Sequence, residues 1–226
     1  MNGMLELDEV ESTNSYVMEH ASDMKEWEIT IARRQTGGRG RKGHTWKSPE
    51  GGLWMTVFLK DTDASLLPLS AGVAVAESIM DLGIRTCLKW PNDLLVGNKK
   101  IAGILVEKKG TNIALGIGIN ANFHTDELPT DIRERSTTIL DETGHSVDIR
   151  QLATDIRNRL VEVLAMHDMG LSIWKDLSCT LGRRVEITSA SRKIKGLALD
   201  VDKNGALLVR TEKGIIRVLA GDCRHI

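Results

Sequence analysis

Hydrophobic and polar positions change period several times along the chain, and each change predicts an element. Met4 to Val10 alternates, as a half-buried first strand does. Ser12-Thr13-Asn14 then supplies side chains suited to helix capping, and a helix is expected to about Ala21. Residues 27–34 and 53–60 are rich in β-formers and read as strands, separated by 18 glycine-rich residues with no regular pattern. Structureless loops of that length are uncommon inside a domain and usually functional. Residues 66–82 predict a helix, with Pro68 in its first turn and Gly83 as its stop. Three more strands are expected at 86–90, 100–108 and 111–120, with turns at Gly97-Asn98-Lys99 and Gly110.

Asp148 opens a later helix, with Gln151 as the reciprocal partner of a capping box. Leu152, Ile156, Leu160, Val163 and Leu164 recur at helical spacing, a stripe that packs on a sheet. After Gly182 the texture changes to four short strands, 184–188, 194–200, 206–210 and 215–219, divided by turn residues such as Asn204-Gly205. They predict a small barrel of about 45 residues.

With 226 residues, 41% apolar and 27% charged, the chain can bury a core and is not disordered. Cys87, Cys179 and Cys223 are odd in number, far apart and without a CxxC pair. That argues against a disulfide scaffold or zinc site and for a reducing compartment. No stretch reaches the roughly 18 consecutive apolar residues of a membrane span. The N-terminal Glu6, Asp8, Glu9 and Glu11 are the reverse of a targeting peptide. A soluble, cytoplasmic protein is expected.

Charge narrows the field further. The net of -1 divides into -6 over residues 1–180 and +5 over 181–226. Six cations, Arg33, Arg34, Arg39, Arg41, Lys42 and Lys47, fall in the long loop and its approach with no carboxylate among them. Gly37, Gly38, Gly40 and Gly43 are interleaved with them. So concentrated a positive field on an acidic body points to a local polyanion, such as a nucleotide phosphate chain, more than to a long nucleic-acid footprint.

Gly38-Arg39-Gly40-Arg41-Lys42-Gly43 is a literal G-x-G-x-x-G behind a predicted strand, with Asp61 downstream at about the distance of a ribose-binding acid. The dinucleotide reading still fails, because that motif must open a helix. Residues 44–52 instead contain Pro49 and Gly51-Gly52 before the next strand begins. No Gly-Lys-Ser/Thr run provides a P-loop. Fixing backbone costs about 1–2 kcal/mol per residue, so ordering a dozen loop residues is opposed by roughly ten or more. With few apolar anchors, the loop is expected to be disordered alone. It would fold over an anionic ligand through Arg–phosphate bonds and keep water from a reactive intermediate.

These residues carry a resemblance. Gln35-Thr36-Gly37-Gly38-Arg39-Gly40-Arg41-Lys42-Gly43, followed by Trp46 and Ser48-Pro49, resembles the loop of biotin protein ligases. So do Ser12-Thr13-Asn14, Lys89-Trp90-Pro91-Asn92-Asp93, Lys100-Ile101-Ala102-Gly103-Ile104-Leu105-Val106-Glu107 and Gly116-Ile117-Gly118-Ile119-Asn120. The resemblance implies an α+β fold: a mixed sheet with helices, like class II aminoacyl-tRNA synthetases, over residues 1–179, then an SH3-like barrel over 180–226. It also implies a monofunctional ligase, since the chain begins at the first catalytic strand, without the repressors' DNA-binding domain. The reaction implied has two steps. Biotin's carboxylate attacks the α-phosphate of Mg²⁺-ATP to give biotinyl-5′-AMP. A lysine of a biotin carboxyl carrier protein or domain then takes the biotinyl group.

The resemblance assigns roles residue by residue. Lys100 bridges the carboxylate and the α-phosphate, Arg41 holds the adenylate, and Lys89 points at phosphates. Arg39, Gly40 and Arg41 close on biotin and its adenylate. Ser12, Thr13, Asn14 and Gln35 hydrogen-bond the ureido ring and nearby atoms, while Gly103 and Leu105 line it through backbone. On the nucleotide side stand Arg39, Arg41, Lys89 and Lys100, with Trp46 packed on adenine, Asn120 beside it and Asn92 behind. Asp93 positions either Mg²⁺ or the incoming amine, and the resemblance leaves both open. His44 departs from the pattern, where many members carry Arg. As bare residues, Ser12 and Thr13 read as helix caps and Trp46 as core. His20, His124, His145, His167 and His225 show no metal or triad spacing and read as structural, and Cys87 reads as core.

Two rivals stand beside this reading. A lipoate–protein ligase shares the fold and the adenylation logic, and a nucleic-acid-binding module would use the basic loop and the +5 segment. The expected partner is the carrier protein, not DNA or a membrane; a homodimer is left open.

Overall fold

The computed structural model describes residues 3–166, 168–189 and 192–226, which form two sheets. The larger holds β1 (Met4–Val10), β2 (Ile29–Gln35), β3 (Leu53–Lys60), β4 (Cys87–Lys89), β5 (Asp93–Val96), β6 (Lys99–Lys109) and β7 (Asn112–Ile119). Their order is β1-β2-β3-β7-β6-β5-β4. The β1–β2 pair is parallel, as a strand–helix–strand connection through α1 (Thr13–Glu19) requires, and the remaining pairs are antiparallel.

The central strand β3 has seven successive buried residues because both of its faces are covered. Phe58 and Ala114, register partners on β3 and β7, turn toward Val17 of α1. On the opposite face Val57, Leu59 and Leu115 join the main core with α2 (Leu67–Met80) and α5 (Ile149–Ala165). The expected stripe Leu152, Ile156, Leu160 and Val163 is that contact, with Leu164 at its half-buried margin. The short helices α3 (Thr130–Arg133) and α4 (Ile139–Thr143) lie between β7 and α5, and α6 (Asp168–Asp176) follows α5.

The smaller sheet is antiparallel: β8 (Arg184–Thr188), β9 (Lys193–Val201), β10 (Leu207–Thr211), β11 (Gly214–Val218) and β12 (Asp222–His225), in the order β11-β10-β9-β8-β12. Among the described residues no helix is long and apolar enough to cross a membrane.

Several expectations need correction. Strand β2 begins at Ile29, not at Trp27, whose φ of 68° is incompatible with a strand. The strands β5 and β12 and the helices α3, α4 and α6 were not foreseen. Each strand is four residues long, too short to establish an alternation. Asp148 caps α5 by accepting from the Arg150 and Gln151 amides at 2.9 and 3.0 Å, but Gln151 turns to Asp155, so the box is only half made. Cys87 is half-buried, not core. It lies beside Cys179, whose hydrogen bond draws its pKa down to about 7. His124 is exposed and paired with Asp141 at 2.7 Å, which raises the imidazole pKa, and His167 lies outside the described residues.

Candidate active site

A cavity of about 230 Å³ lies where β2, β3, β6 and β7 meet the start of α1 and the basic loop. Glycines create the space. A Cβ on Gly116 would stand 2.4 Å from Asn14 Oδ1, and on Gly118 it would stand 2.8 Å from Trp46 Nε1. Gly103, the register partner of Gly118, would bring a Cβ to 2.9 Å from the Trp46 ring. Along β6 and β7 the sheet therefore presents bare backbone as a trench.

The floor is a chain of hydrogen bonds among buried and half-buried side chains, neutral but for Glu107 at one end. Asn14 Oδ1 can only accept, so the Thr56 hydroxyl donates to it at 2.7 Å and itself accepts from Thr13 Oγ1 at 2.8 Å. The Thr13 amide donates to Gln35 Oε1 at 2.9 Å, and Gln35 Nε2 donates to Ser48 Oγ at 2.8 Å. At the other end Asn14 Nδ2 donates to Glu107 Oε2 at 2.8 Å and to the Leu105 carbonyl at 3.3 Å. From Thr13 through Thr56 to Asn14 each bond polarises the next, while at the far end the Ser48 hydroxyl donates to the Trp46 carbonyl at 3.3 Å. Asn14 keeps only an acceptor lone pair for a ligand. Ser12 occupies the N-cap position of α1 without a side-chain cap bond, so the capping role does not engage its hydroxyl, and Ser12 lines the cavity.

The basic loop forms the roof, and it is more structured than the sequence suggests. Bridges join Gln35 to Ser48 and Arg39 to Thr45, the Trp46 amide donates to the Gly38 carbonyl at 2.8 Å, and Arg41–Gly43 makes a 3₁₀ turn. Its anchors are polar, not apolar. Arg39 reaches both Glu107 oxygens at 3.1 and 3.0 Å. Arg41 donates to Asn92 Oδ1 and to the Gly221 carbonyl, each at 3.3 Å. Burial lowers the Arg41 pKa from its ordinary value, with Asp222 and Asp93 pulling the other way. Among the described residues neither contact neutralises that guanidinium. Asn92 is fixed by its own bond to the Ile104 carbonyl at 2.7 Å.

A second, outer cavity of about 360 Å³ adjoins the first, and Trp46, Asp93 and Lys100 line both. Lys100 Nζ stands 2.6 Å from Asp93 Oδ1 and 4.8 Å from the Trp46 ring centroid, an ion pair and a cation–π contact on the shared wall. Trp46 packs edge-on to Trp54 at 6.4 Å, and its buried Nε1 has no partner among the described residues.

The structure brings Ser12, Thr13, Asn14, Gln35, Arg39, Gly40 and Arg41 to the inner cavity, together with Asn92, Gly103 and Leu105. Lys89 and Asn120 stand apart from that group, on the outer cavity. Both Asn120 Nδ2 protons go to carbonyls, of Thr137 at 3.0 Å and Lys100 at 3.4 Å, which leaves its oxygen available. Three residues went unforeseen: Thr56, Asp222 and, though part of a quoted block, Glu107. Thr56 alone carried a signal, as the lone polar side chain among the buried residues of β3.

Residues 7–124 match the model of the biotin/lipoate A/B protein ligase family, and residues 180–225 match that of the biotin protein ligase C terminal domain. The bifunctional ligase/repressor BirA of Escherichia coli is 32% identical over 226 residues, covering 94% of this chain and 70% of that protein. The biotin–[acetyl-CoA-carboxylase] ligase of Mycobacterium tuberculosis is 28% identical over 95% of this chain and 86% of its own. The biotin protein ligase of Aquifex aeolicus, solved in complex with biotin and ATP, superposes with a TM-score of 0.91 at 30% identity, covering 100% of both chains.

Proposed function

The chain belongs to the biotin/lipoate A/B protein ligase family, and on that footing we propose that it is a biotin protein ligase. It activates biotin with ATP as biotinyl-5′-AMP and transfers the biotinyl group to a lysine of a biotin carboxyl carrier protein or domain. The observation that carries this reading is the shared wall: Lys100 stands between a cavity of about 230 Å³, floored by neutral hydrogen-bonding groups, and a second of about 360 Å³ that could take a nucleotide.

In the first step a biotin carboxylate oxygen forms a bond to the α-phosphorus, and the bond from that phosphorus to the bridging oxygen of pyrophosphate breaks. Two anions must approach each other, so the barrier falls where fixed cations meet the developing charge. Lys100 supplies that charge from the wall and Arg41 from the roof, with Arg39 and Lys89 toward the phosphates. Mg²⁺ arrives on the nucleotide as part of the substrate. Among the described residues Asp93 is the one carboxylate lining the outer cavity, and no cluster of three metal-ligating side chains exists there to hold a resident ion. In the second step the carrier lysine's neutral amine attacks the acyl carbon and AMP departs with its electron pair. In this reading Asp93 orients that amine once Lys100 has turned to phosphate, supported by its place on the wall the two cavities share.

The floor also favours biotin over lipoate. Ser12, Thr13, Asn14 and Gln35 keep some neutral donor and acceptor positions free of the chain that a ureido ring can pair, whereas the dithiolane of lipoate would leave those positions unpaired. Incubation with ATP, labelled biotin and a carrier domain checks the proposal. Label is expected on the carrier lysine, and biotin-dependent exchange of pyrophosphate into ATP without it. Lipoate accepted in place of biotin would move the assignment to the other branch of the family, and a salt-sensitive complex with nucleic acid lacking either activity would overturn it.

A further inference from the structure

We propose that the C-terminal sheet works as a clasp on the basic loop, with Asp222 as a positioning residue that holds Lys42 and thereby sets Arg41 in the roof of the inner cavity. The inference rests on the ligase reading and gives the smaller sheet a part in it.

Lys42 Nζ lies 3.0 Å from Asp222 Oδ2 and 2.9 Å from the Thr188 carbonyl. Those two acceptors are cross-strand partners on β12 and β8, so they form a two-point socket whose spacing the sheet fixes. Next to Asp222, the Gly221 carbonyl accepts from Arg41. A Cβ on Gly221 would stand 2.4 Å from Ile187 Cγ2, so that carbonyl is held in place by close packing. Three points where β8 ends and β12 begins thus hold two consecutive loop residues.

The loop backbone shows why an external hold is needed. Lys42 has φ 54° and ψ 31°, the left-handed region that a residue with a Cβ avoids, and Gly43 follows at φ 76°. Such a conformation persists where surrounding contacts over-determine it. Here the contacts come from residues 146 and 180 positions away in sequence. The Lys42 and Asp222 side chains are 36% and 46% exposed, so water screens the pair and it can release. A releasable hold suits a roof that must admit biotin and let the carrier reach the adenylate.

Amide exchange over residues 37–46 in the protein alone, and escape of biotinyl-AMP from the purified complex, are compared for the wild type, Lys42→Met, Asp222→Asn and the double variant. Each single change is expected to speed both exchange and escape about three- to tenfold, and the double variant no more than either single one. Thermal midpoints are expected to stay close to that of the wild type. Unchanged loop exchange, single effects that multiply in the double variant, or faster exchange spread through the whole β8–β12 sheet would each overturn the clasp. A wild-type protein that forms no adenylate would defeat the ligase reading instead, while the exchange measurement would still judge the clasp.

Discussion

Floor and roof of the inner pocket are built from opposite materials. The floor uses neutral side chains buried in the sheet and α1, each bonded to the next before any ligand arrives, so its ordering cost is met in folding. The roof uses charged side chains on glycine-rich backbone, anchored by exposed pairs such as Arg39–Glu107 that water weakens. The contrast suits two tasks. Selecting a neutral bicyclic ring needs fixed donors and acceptors, and retaining an anionic intermediate needs strong charge that can be withdrawn.

The largest effect falls where floor and roof meet. Lys100→Ala is expected to cut adenylate formation about a thousandfold or more with an unchanged melting temperature, measured by biotin-dependent pyrophosphate exchange. Near-normal exchange would remove the shared wall from the chemistry. Arg41→Ala tests the roof alone: biotinyl-AMP is expected to escape roughly 10- to 100-fold faster in rapid filtration, while affinity for biotin changes little. Thr56→Val tests the floor alone. It removes one hydroxyl from the middle of the chain and is expected to cost about 1–3 kcal/mol in denaturant unfolding and to weaken biotin binding about tenfold in calorimetry. A weakened hold on the adenylate without loss of biotin affinity would erase the distinction.

Glu107 belongs to both regions and divides the two contributions. Glu107→Gln keeps an acceptor for Asn14 but removes the charge facing Arg39. Loop exchange is expected to rise about threefold with biotin affinity nearly unchanged. The smallest effect concerns the sheet that supports the roof. Burial, then Lys89 and Arg183, depress the His225 pKa to about 4. A histidine depressed in the fold contributes stability above its unfolded value near 6.5, and loses it as pH falls through the folded one. The His225 ring resonances are therefore expected to titrate near 4, with β12 loosening over that window. A midpoint near 6.5 would refute this.

The sequence made the pieces of this site legible through local blocks: the Gly38–Gly43 run, Lys89 to Asp93, and Lys100 to Glu107 each lie within a few residues. It also disclosed most of the large sheet, where β3, β6 and β7 are long enough to show a pattern. What escaped depends on distance in the fold. Asp222 sits 180 residues from Lys42, and no local pattern links them. The loop was expected to lack anchors because only apolar ones were considered, whereas its actual anchors are a carboxylate on β6, an amide beside β5 and backbone carbonyls on a second sheet. Asp93, flanked by Pro91-Asn92 and the Gly97-Asn98 turn, begins a strand too brief to announce itself.

The glycines of β6 and β7 bear on how such a binding place can change. Its dimensions are set by atoms the chain omits at Gly103, Gly116 and Gly118, so alanine scanning, which reports what a removed side chain did, adds bulk at these three positions. Each accepts mutation only toward larger residues, and even a methyl group there collides with Asn14 or Trp46. Broadening the range of acids accepted cannot come from these three positions, which have no side chain left to trim, and falls to the cover and to larger neighbours such as Met55 and Ile117.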